Sequence, residues 1–155
     1  MLKAYLKIFL ISMLPVIELR GAIPVAAAMG LPVFQSYIVA IIGNMLPVPF
    51  IYLFARRVLT WGADKPVIGK LFTFCLKKGE KGGKKLEGKA GIALYIALML
   101  FVGIPLPGTG AWTGTLVASL LDIDFKKSVI FIMLGVLLAG IIMMVISQGV
   151  IFIVK

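Results

Sequence analysis

The sequence contains no histidine and a single cysteine, Cys75. Without an imidazole, the side chain that most often acts as a base, a metal ligand or a neutral-pH switch is missing. One thiol can form neither an internal disulfide nor a two-cysteine metal or redox motif. A glycine-rich phosphate loop and a nucleophilic-serine motif are absent as well. We therefore expect a protein that is not an enzyme and that binds no metal and no cofactor.

Charged residues are scarce over most of the chain. Three stretches carry no charge at all: 21–55, 90–121 and 128–154, which are 35, 32 and 27 residues long. The composition is 61% hydrophobic, against about 45–50% in soluble domains, and an apolar helix of about 20 residues crosses a bilayer. Because lipid cannot satisfy the open edge of a sheet, the sequence predicts an all-α integral membrane protein, a single membrane domain over 1–155.

The charge that is present is concentrated in the middle of the chain. Residues 56–89 contain ten of the sixteen lysines and arginines and three of the six acidic residues. Such an excess in a loop between apolar segments marks the cytoplasmic side, and the aromatic residues of this segment are not arranged as a nucleic-acid platform. We predict a cytoplasmic loop with a short amphipathic helix around Cys75, lying on the membrane or on the protein itself. Lys3 and Lys7 would favour a cytoplasmic N-terminus, whereas an inverted repeat would place that end outside, so both placements of the N-terminus stay open.

The regions on either side of this loop, 1–55 and 90–155, resemble each other in the order of their segments. Each begins with a short apolar segment, continues with a stretch interrupted by proline and glycine, and ends with a long apolar segment. Gly21 aligns with Gly110 at an offset of 89, whereas Ser36 aligns with Ser128 at 92, which suggests an insertion of three residues within 121–124. We predict two pseudo-symmetric, inverted halves, as in many transporters.

The interrupted stretches are the candidate site. Backbone freed at such breaks is tolerated at membrane depth only inside protein or beside a water-filled cavity. We expect 15–32 and 105–121 each to form a re-entrant pair of half-length helices, with the two tips meeting near the middle of the bilayer. The alternative is that both stretches are ordinary turns outside the membrane, because "LPGTG" is also good turn chemistry.

The first break contains a glutamate and an arginine, Glu18 and Arg20, next to Gly21 and Pro24. A charge at the centre of a bilayer costs at least about 2.5–3.5 kcal/mol on insertion scales, so these two residues need partners. One interpretation is a structural ion pair. In the other, Arg20 binds an anionic group with its planar guanidinium, and Glu18 takes up and releases a proton.

The second break and the first long segment supply further candidates without charge. Glycines at the second break would let backbone approach a ligand, and a half-helix N-terminus suits an anion. Trp112 would cap the cavity or anchor the chain at the membrane interface. Asn44 precedes two prolines that we expect to break the first long segment. The predicted binding residues beyond those of the first break are therefore Asn44, Pro107, Gly108, Thr109, Gly110, Trp112 and Thr113.

The motif "ELRGAIP" near the N-terminus, together with "PLPGTGAWTG" after a basic loop, resembles the "putative small multidrug export protein" family. Its members are small prokaryotic membrane proteins, so the resemblance implies a multi-pass protein of the plasma membrane. The family is distantly similar to the DedA and VTT-domain proteins, which have two facing re-entrant helices and are implicated in lipid movement and proton-linked resistance. That similarity implies a site lined by residues of both breaks: Glu18, Arg20, Gly21, Pro24, Pro107, Gly108, Gly110 and Trp112. A second buried arginine, which would hold phosphate from the other side, is lacking here.

These features lead to three functional hypotheses. The first is a transporter or flippase that moves a small or lipid-linked anion between the two hairpins, with protons as the coupling ion. The second is proton-coupled export of cationic drugs through Glu18, against which the positive charge of Arg20 argues. The third is a membrane scaffold that binds lipids or partners through the basic loop. Membrane lipids are expected partners, nucleic acid is not, and a homodimer is expected because one protomer is small for enclosing a cavity.

Overall fold

The computed structural model describes residues 2–65, 69, 70, 73, 77 and 91–154, and within them it is helical, without strands. The all-α prediction is confirmed for this part of the chain. The predicted amphipathic helix around Cys75 falls mainly on residues outside the described ones. The helices are α1 (Leu2–Met13), α2 (Glu18–Ala28), α3 (Val33–Met45), α4 (Pro47–Ala63), α5 (Ile92–Gly103), α6 (Ala111–Leu120) and α7 (Phe125–Val154).

Two helical segments are long and apolar enough to cross a membrane, Val33–Ala63 and Phe125–Val150. The first comprises α3 and α4. Leu46 between them keeps helical backbone angles and donates its amide to the Ile42 carbonyl at 3.1 Å. Pro47 interrupts the hydrogen-bond ladder only because it has no N–H, so the predicted break after Asn44 is a local defect in one helix. This helix continues to Ala63, eight residues into the segment predicted as loop.

The other four helices have ten to twelve residues, about 15–18 Å at 1.5 Å per residue. Each is about half as long as the hydrocarbon core is thick. Each interrupted stretch contains one of these helices, α2 or α6, and not the predicted pair. The partner arm is the apolar helix before it, α1 or α5. The prediction was wrong because Pro24 lies inside α2, whereas the chain turns earlier, around Pro15.

The same turn ends α2 and α6. Leu31 donates its amide to Ala26 and Gly30 to Ala27, both at 3.0 Å. In the second half Ile123 donates to Ala118 at 3.3 Å and Asp122 to Ser119 at 3.2 Å. Both turns pass through a residue with positive φ, +66° at Gly30 and +53° at Asp122, as a Schellman motif requires. All these positions differ by 92.

The offset of 92 continues into the long helices. Ser36 and Ser128 donate their amides to Pro32 and Asp124, respectively, and both serines are buried. A Cβ at Gly43 would collide with the Phe9 carbonyl of α1, and a Cβ at Gly135 would collide with the Met99 carbonyl of α5.

The short first helices of the two halves correspond at an offset of 90. Phe9 and Met99 are one such pair, and a second comes from the tyrosines of α1 and α5. The Tyr5 hydroxyl bonds the Gln35 side chain, and Lys127 lies 5.5 Å above the Tyr95 ring. The expected insertion within 121–124 was therefore wrong. Two extra residues lie in the second break instead, since only there does the offset change from 90 to 92.

The short helices α2 and α6 lie at the centre of the molecule. The buried core includes Leu19, Ala22, Ile23 and Ala26 of α2 together with Ala111 and Ala118 of α6. α2 packs against α7 and α6 packs against α4, so each half places its second short helix on the long helix of the other half. Because each second short helix packs on the long helix of the other half, the two breaks lie next to each other.

Candidate functional site

The carboxylate of Glu18 lies on the N-terminus of α6. Glu18 is the first residue of α2, and its side chain is only 4% exposed. One carboxylate oxygen accepts the Trp112 amide at 3.0 Å, and the other accepts the Ala111 amide at 3.2 Å. These N–H groups have no partner within their own helix, and the helix dipole favours a negative charge there. The predicted anion-binding N-terminus therefore exists, and a side chain of the protein occupies it.

Gly110 makes this contact possible. A Cβ at Gly110 would overlap the Glu18 carboxylate, with the carboxyl carbon only 2.8 Å away. Its φ of +142° is also a conformation that is largely restricted to glycine. Glu18 and Gly110 differ by 92 and are thus counterparts in the two halves, and Glu18 too has a positive φ, +51°. The two breaks meet at equivalent positions, like the two sides of an isologous interface.

The guanidinium of Arg20 lies at the opposite end of the second break. Nη1 donates to the carbonyls of Leu106 at 2.7 Å and Thr109 at 2.8 Å. Nη2 donates to those of Val102 at 2.9 Å and Ile104 at 3.1 Å. Val102 belongs to the last turn of α5, where free carbonyls and the helix dipole favour a cation. Four of the five N–H donors of Arg20 are thus bound to the protein itself.

Trp112 is the counterpart of Arg20 at the same offset, and it makes the reciprocal contact. Its indole Nε1 donates to the Met13 carbonyl, the last residue of α1, at 3.2 Å. In each half, therefore, one side chain of the second short helix donates a hydrogen bond to the C-terminus of the first short helix in the other half. The difference is that one connection has a positive charge and four hydrogen bonds, whereas the other is neutral and has one.

The remaining predicted residues lie around this junction with varying degrees of contact. Thr109 bonds back to the carbonyls of Ile104 and Leu106 and so holds the loop that receives Arg20. Gly108 has a φ of +81° and open space around it. Asn44 is buried, and its Oδ1 has no hydrogen-bond partner. The other predicted residues are exposed or half-buried and make none of the side-chain hydrogen bonds described above: Gly21, Pro24, Pro107 and Thr113.

The main contributors that sequence reasoning missed are backbone atoms. The carbonyls of Met13, Val102, Ile104 and Leu106 accept the side chains described above, and their residue types give no indication of that role. The sequence suggested instead that Arg20 would face a ligand. The available signal was the offset of 92, which pairs Glu18 with Gly110 and Arg20 with Trp112.

An apolar groove opens beside Trp112, between α4 and α6. Its volume is about 470 Å³, within the range of about 300–1,000 Å³ that is typical of small-molecule sites. The described residues contain no cluster of acidic, cysteine or histidine side chains that could hold a metal ion. The groove is lined by Ile51, Phe54, Ala55, Val58, Trp112, Leu116 and Leu120.

Comparison with known families places the chain among membrane export proteins. The model of the family described as "Putative small multi-drug export protein" matches residues 18–142, which include Glu18, Arg20 and the whole of the second break. The chain belongs to this family, and the resemblance based on its two motifs is confirmed. Together with two described helical segments that are long and apolar enough to cross a membrane, the family indicates a membrane protein with a transport role. No curated protein and no solved structure matches the chain, and the similarity to DedA proteins stays a prediction.

Proposed function

We propose that the protein moves a small or lipid-linked anion across the membrane, through the junction of the two breaks, with a proton on Glu18 as the coupling ion. The observation that carries this proposal is that the buried Glu18 and the half-buried Arg20 lie against the ends of two half-length helices. Buried ionisable groups within membrane segments usually mark a transport path. Such discontinuous helices form the binding sites of many secondary transporters.

The proposed topology follows from the lengths of the helices. If α1 and α2 form a re-entrant hairpin, the long helix α3–α4 is the only crossing in the first half. An odd number of crossings starts the second half on the other side of the membrane, so the two halves are inverted. Lysine placement supports this orientation: Lys126 and Lys127 follow the second hairpin, whereas their counterparts in the first half are Phe34 and Gln35. By the positive-inside rule, the second hairpin enters from the cytoplasm and the N-terminus lies outside.

In this mechanism the carboxylate of Glu18 occupies the place that an anionic substrate would take. The amides of Ala111 and Trp112 and the guanidinium of Arg20 are anion-binding groups. When Glu18 is protonated, its hold on the two amides weakens, because a neutral carboxyl is a poorer acceptor than a carboxylate. An anion can then replace Glu18 on these amides and draw Arg20 from its carbonyls. Anion and proton would bind together and cross together.

Flux measurements with the purified protein in proteoliposomes test this proposal. Suitable probes are radiolabelled inorganic phosphate for a small anion, and fluorescent phosphatidylglycerol against phosphatidylcholine for a lipid-linked one. Arg20→Ala should abolish the anion flux, and Glu18→Gln should abolish its dependence on a pH gradient. Arg57→Ala, which removes an exposed arginine of α4, is the matched control and should keep full flux. Anion flux that survives both changes at the first break would overturn the proposal.

Proton-coupled export of cationic drugs is the second candidate. The observation in its favour is the apolar groove beside Trp112. The backbone amide of the same residue holds the Glu18 carboxylate. The same liposomes with ethidium as the probe separate the two candidates. Drug export predicts ethidium flux that is lost in Glu18→Gln and retained in Arg20→Ala, whereas anion transport predicts no ethidium flux. A scaffold role through the basic loop predicts no flux of any probe.

A further inference from the structure

A small cavity lies where the first hairpin meets α7. It is bounded by the C-terminal half of α2, the start of α3 and the later part of α7. Its volume is about 10 Å³, close to the minimum that a single water molecule needs. Both polar and apolar side chains surround it: Ile23, Ala26, Ala27, Leu31, Val33, Ser36, Met144, Ser147 and Gln148.

One wall of this cavity has an unsatisfied hydroxyl. Ser147 is 7% exposed, and its Oγ has no hydrogen-bond partner. Leaving a buried polar group unpaired costs about 1–3 kcal/mol. Ser36 Oγ donates to the Pro32 carbonyl at 2.9 Å, so its lone pairs remain able to accept. Together with Gln148, these groups give a water the two to four polar partners that it requires.

In the second half, the position equivalent to this cavity is occupied by the side chain of Tyr52. The offset of 92 aligns Met144 with Tyr52, Ala27 with Ser119, and Leu31 with Ile123. Tyr52 donates its hydroxyl to the Ile123 carbonyl, and Ser119 Oγ donates to the Tyr52 carbonyl at 2.8 Å. The Tyr52 ring also packs edge-on against Phe125 at 5.0 Å. Two side-chain hydrogen bonds thus connect α4 to the end of the second hairpin, and the ring contact connects α4 to the start of α7.

Neither hydrogen bond is possible in the first half. Met144 and Ala27, which stand at the positions of Tyr52 and Ser119, have no hydroxyl. We propose that the cavity is a water site, and that it leaves the base of the first hairpin (residues 26–31) able to separate from α7. The base of the second hairpin (residues 118–123) stays attached to α4. The first hairpin is then the one that moves.

Hydrogen exchange in lipid nanodiscs tests this directly and does not depend on whether or what the protein transports. The amides of Leu31 and Ile123 are counterparts, and each closes the same turn. We expect the Leu31 amide to exchange at least tenfold faster, although its hydrogen bond is shorter, 3.0 Å against 3.3 Å. Equal exchange, or faster exchange at Ile123, would overturn the proposal.

Exchanging the counterparts sharpens this test. Tyr52→Phe removes only the hydroxyl and should raise exchange at residues 118–123 towards that of residues 26–31. The double change Met144→Tyr and Ala27→Ser should lower exchange at 26–31 towards that of 118–123. If Tyr52→Phe leaves exchange at 118–123 unchanged, this hydroxyl does not hold the second hairpin and the proposal fails.

The water itself is tested by two serines with unpartnered hydroxyls. Ser147→Ala should lower the unfolding temperature, because the cavity water loses a partner. Ser128→Ala, at a completely buried position, is the matched control and should leave the unfolding temperature unchanged or raise it. If Ser147→Ala raises the unfolding temperature, the cavity is dry and the water site is refuted.

Discussion

The two breaks of this protein contribute different and complementary groups: the first contributes charged side chains, and the second contributes backbone amides and carbonyls. The first, at 14–17 and continuing into α2, contributes a carboxylate and a guanidinium. The second, at 104–110, is uncharged, and together with the adjoining ends of α5 and α6 it contributes two amides and four carbonyls. Each charge lies at the helix end whose dipole favours it, the anion at an N-terminus and the cation at a C-terminus. The two charges of the first break are thus stabilised within a largely apolar chain, although the second break contributes no charged side chain.

This comparison also explains the asymmetry between Arg20 and Trp112. Both residues reach the C-terminus of the first short helix in the opposite half. Since Arg20 connects by four bonds and Trp112 by one, the second half is held more tightly at its break than the first. Substitutions on each side should therefore have unequal effects.

The largest effect is expected at Gly110. Gly110→Ala adds a Cβ that collides with the Glu18 carboxylate, an overpacking cost of about 1–3 kcal/mol. It also strains the backbone by about 1–3 kcal/mol. Gly108→Ala adds a Cβ in open space at φ +81° and should show the strain alone. Thermal unfolding of both variants in the same detergent measures the difference. Equal losses would mean that Glu18 does not lie against Gly110.

Arg20→Ala should come next, because it leaves carbonyls of the second break without their donor. Hydrogen bonds to charged groups contribute about 1.5–3 kcal/mol, and some of these carbonyls will recover water. Arg20→Lys keeps the charge but offers three donors on a single nitrogen, so it should recover only part of the loss. The free energy of unfolding of the three proteins gives this ranking. Full recovery by lysine would show that charge alone matters and that the planar set of four bonds does not.

Glu18→Gln should have a smaller effect on stability and a strong one on coupling. Glutamine keeps one oxygen for the two amides of α6, so one bond to a charged group, about 1.5–3 kcal/mol, should be lost, whereas Arg20→Ala removes four. Proton-driven flux should disappear, because the amide does not titrate. Glu18→Asp retains the charge on a shorter side chain, and it should keep the pH dependence at a reduced rate. A pH-gradient response that persists in Glu18→Gln would place the coupling group elsewhere.

The smallest effect is expected for Trp112→Phe. It removes the indole donor to the Met13 carbonyl, which is about 0.5–1.5 kcal/mol for a neutral hydrogen bond, and one ring of a side chain that lines the open groove. Its unfolding free energy should therefore fall by less than that of Arg20→Ala. A loss as large as that of Arg20→Ala would mean that the two connections are equivalent despite their different chemistry.

Sequence reasoning identified the helical class, the family and the two breaks, because these depend on long apolar runs and on proline and glycine. It also named Glu18, Arg20 and Gly110, the three residues on which the junction depends most. It misplaced the insertion between the halves by relying on Gly21 and Gly110, whose identity is coincidental. The paired turns at Gly30 and Asp122 show that the offset of 92 already holds at the ends of α2 and α6.

What sequence reasoning could not predict is the partner of each charge. Backbone amides and carbonyls occur at every residue, so no letter in "GIPLPGTGAW" indicates that its main chain binds Glu18 and Arg20. The same limit applies to Tyr52, whose role became evident only beside its counterpart Met144. Its hydroxyl bonds the Ile123 carbonyl across 71 residues of sequence. The predicted homodimer, the cytoplasmic loop and the binding role of Asn44 stay predictions.

Glu18 occupies the N-terminus of α6 in this structure. NMR in nanodiscs tests this contact through the pH titration of backbone amide resonances. The amides of Ala111 and Trp112 should shift together over one titration, and both should become independent of pH in Glu18→Gln. The amide of Gly114, which bonds the Gly110 carbonyl within the helix, should shift far less. If the Ala111 and Trp112 amides show no titration in the unmodified protein, or keep it in Glu18→Gln, the account is contradicted.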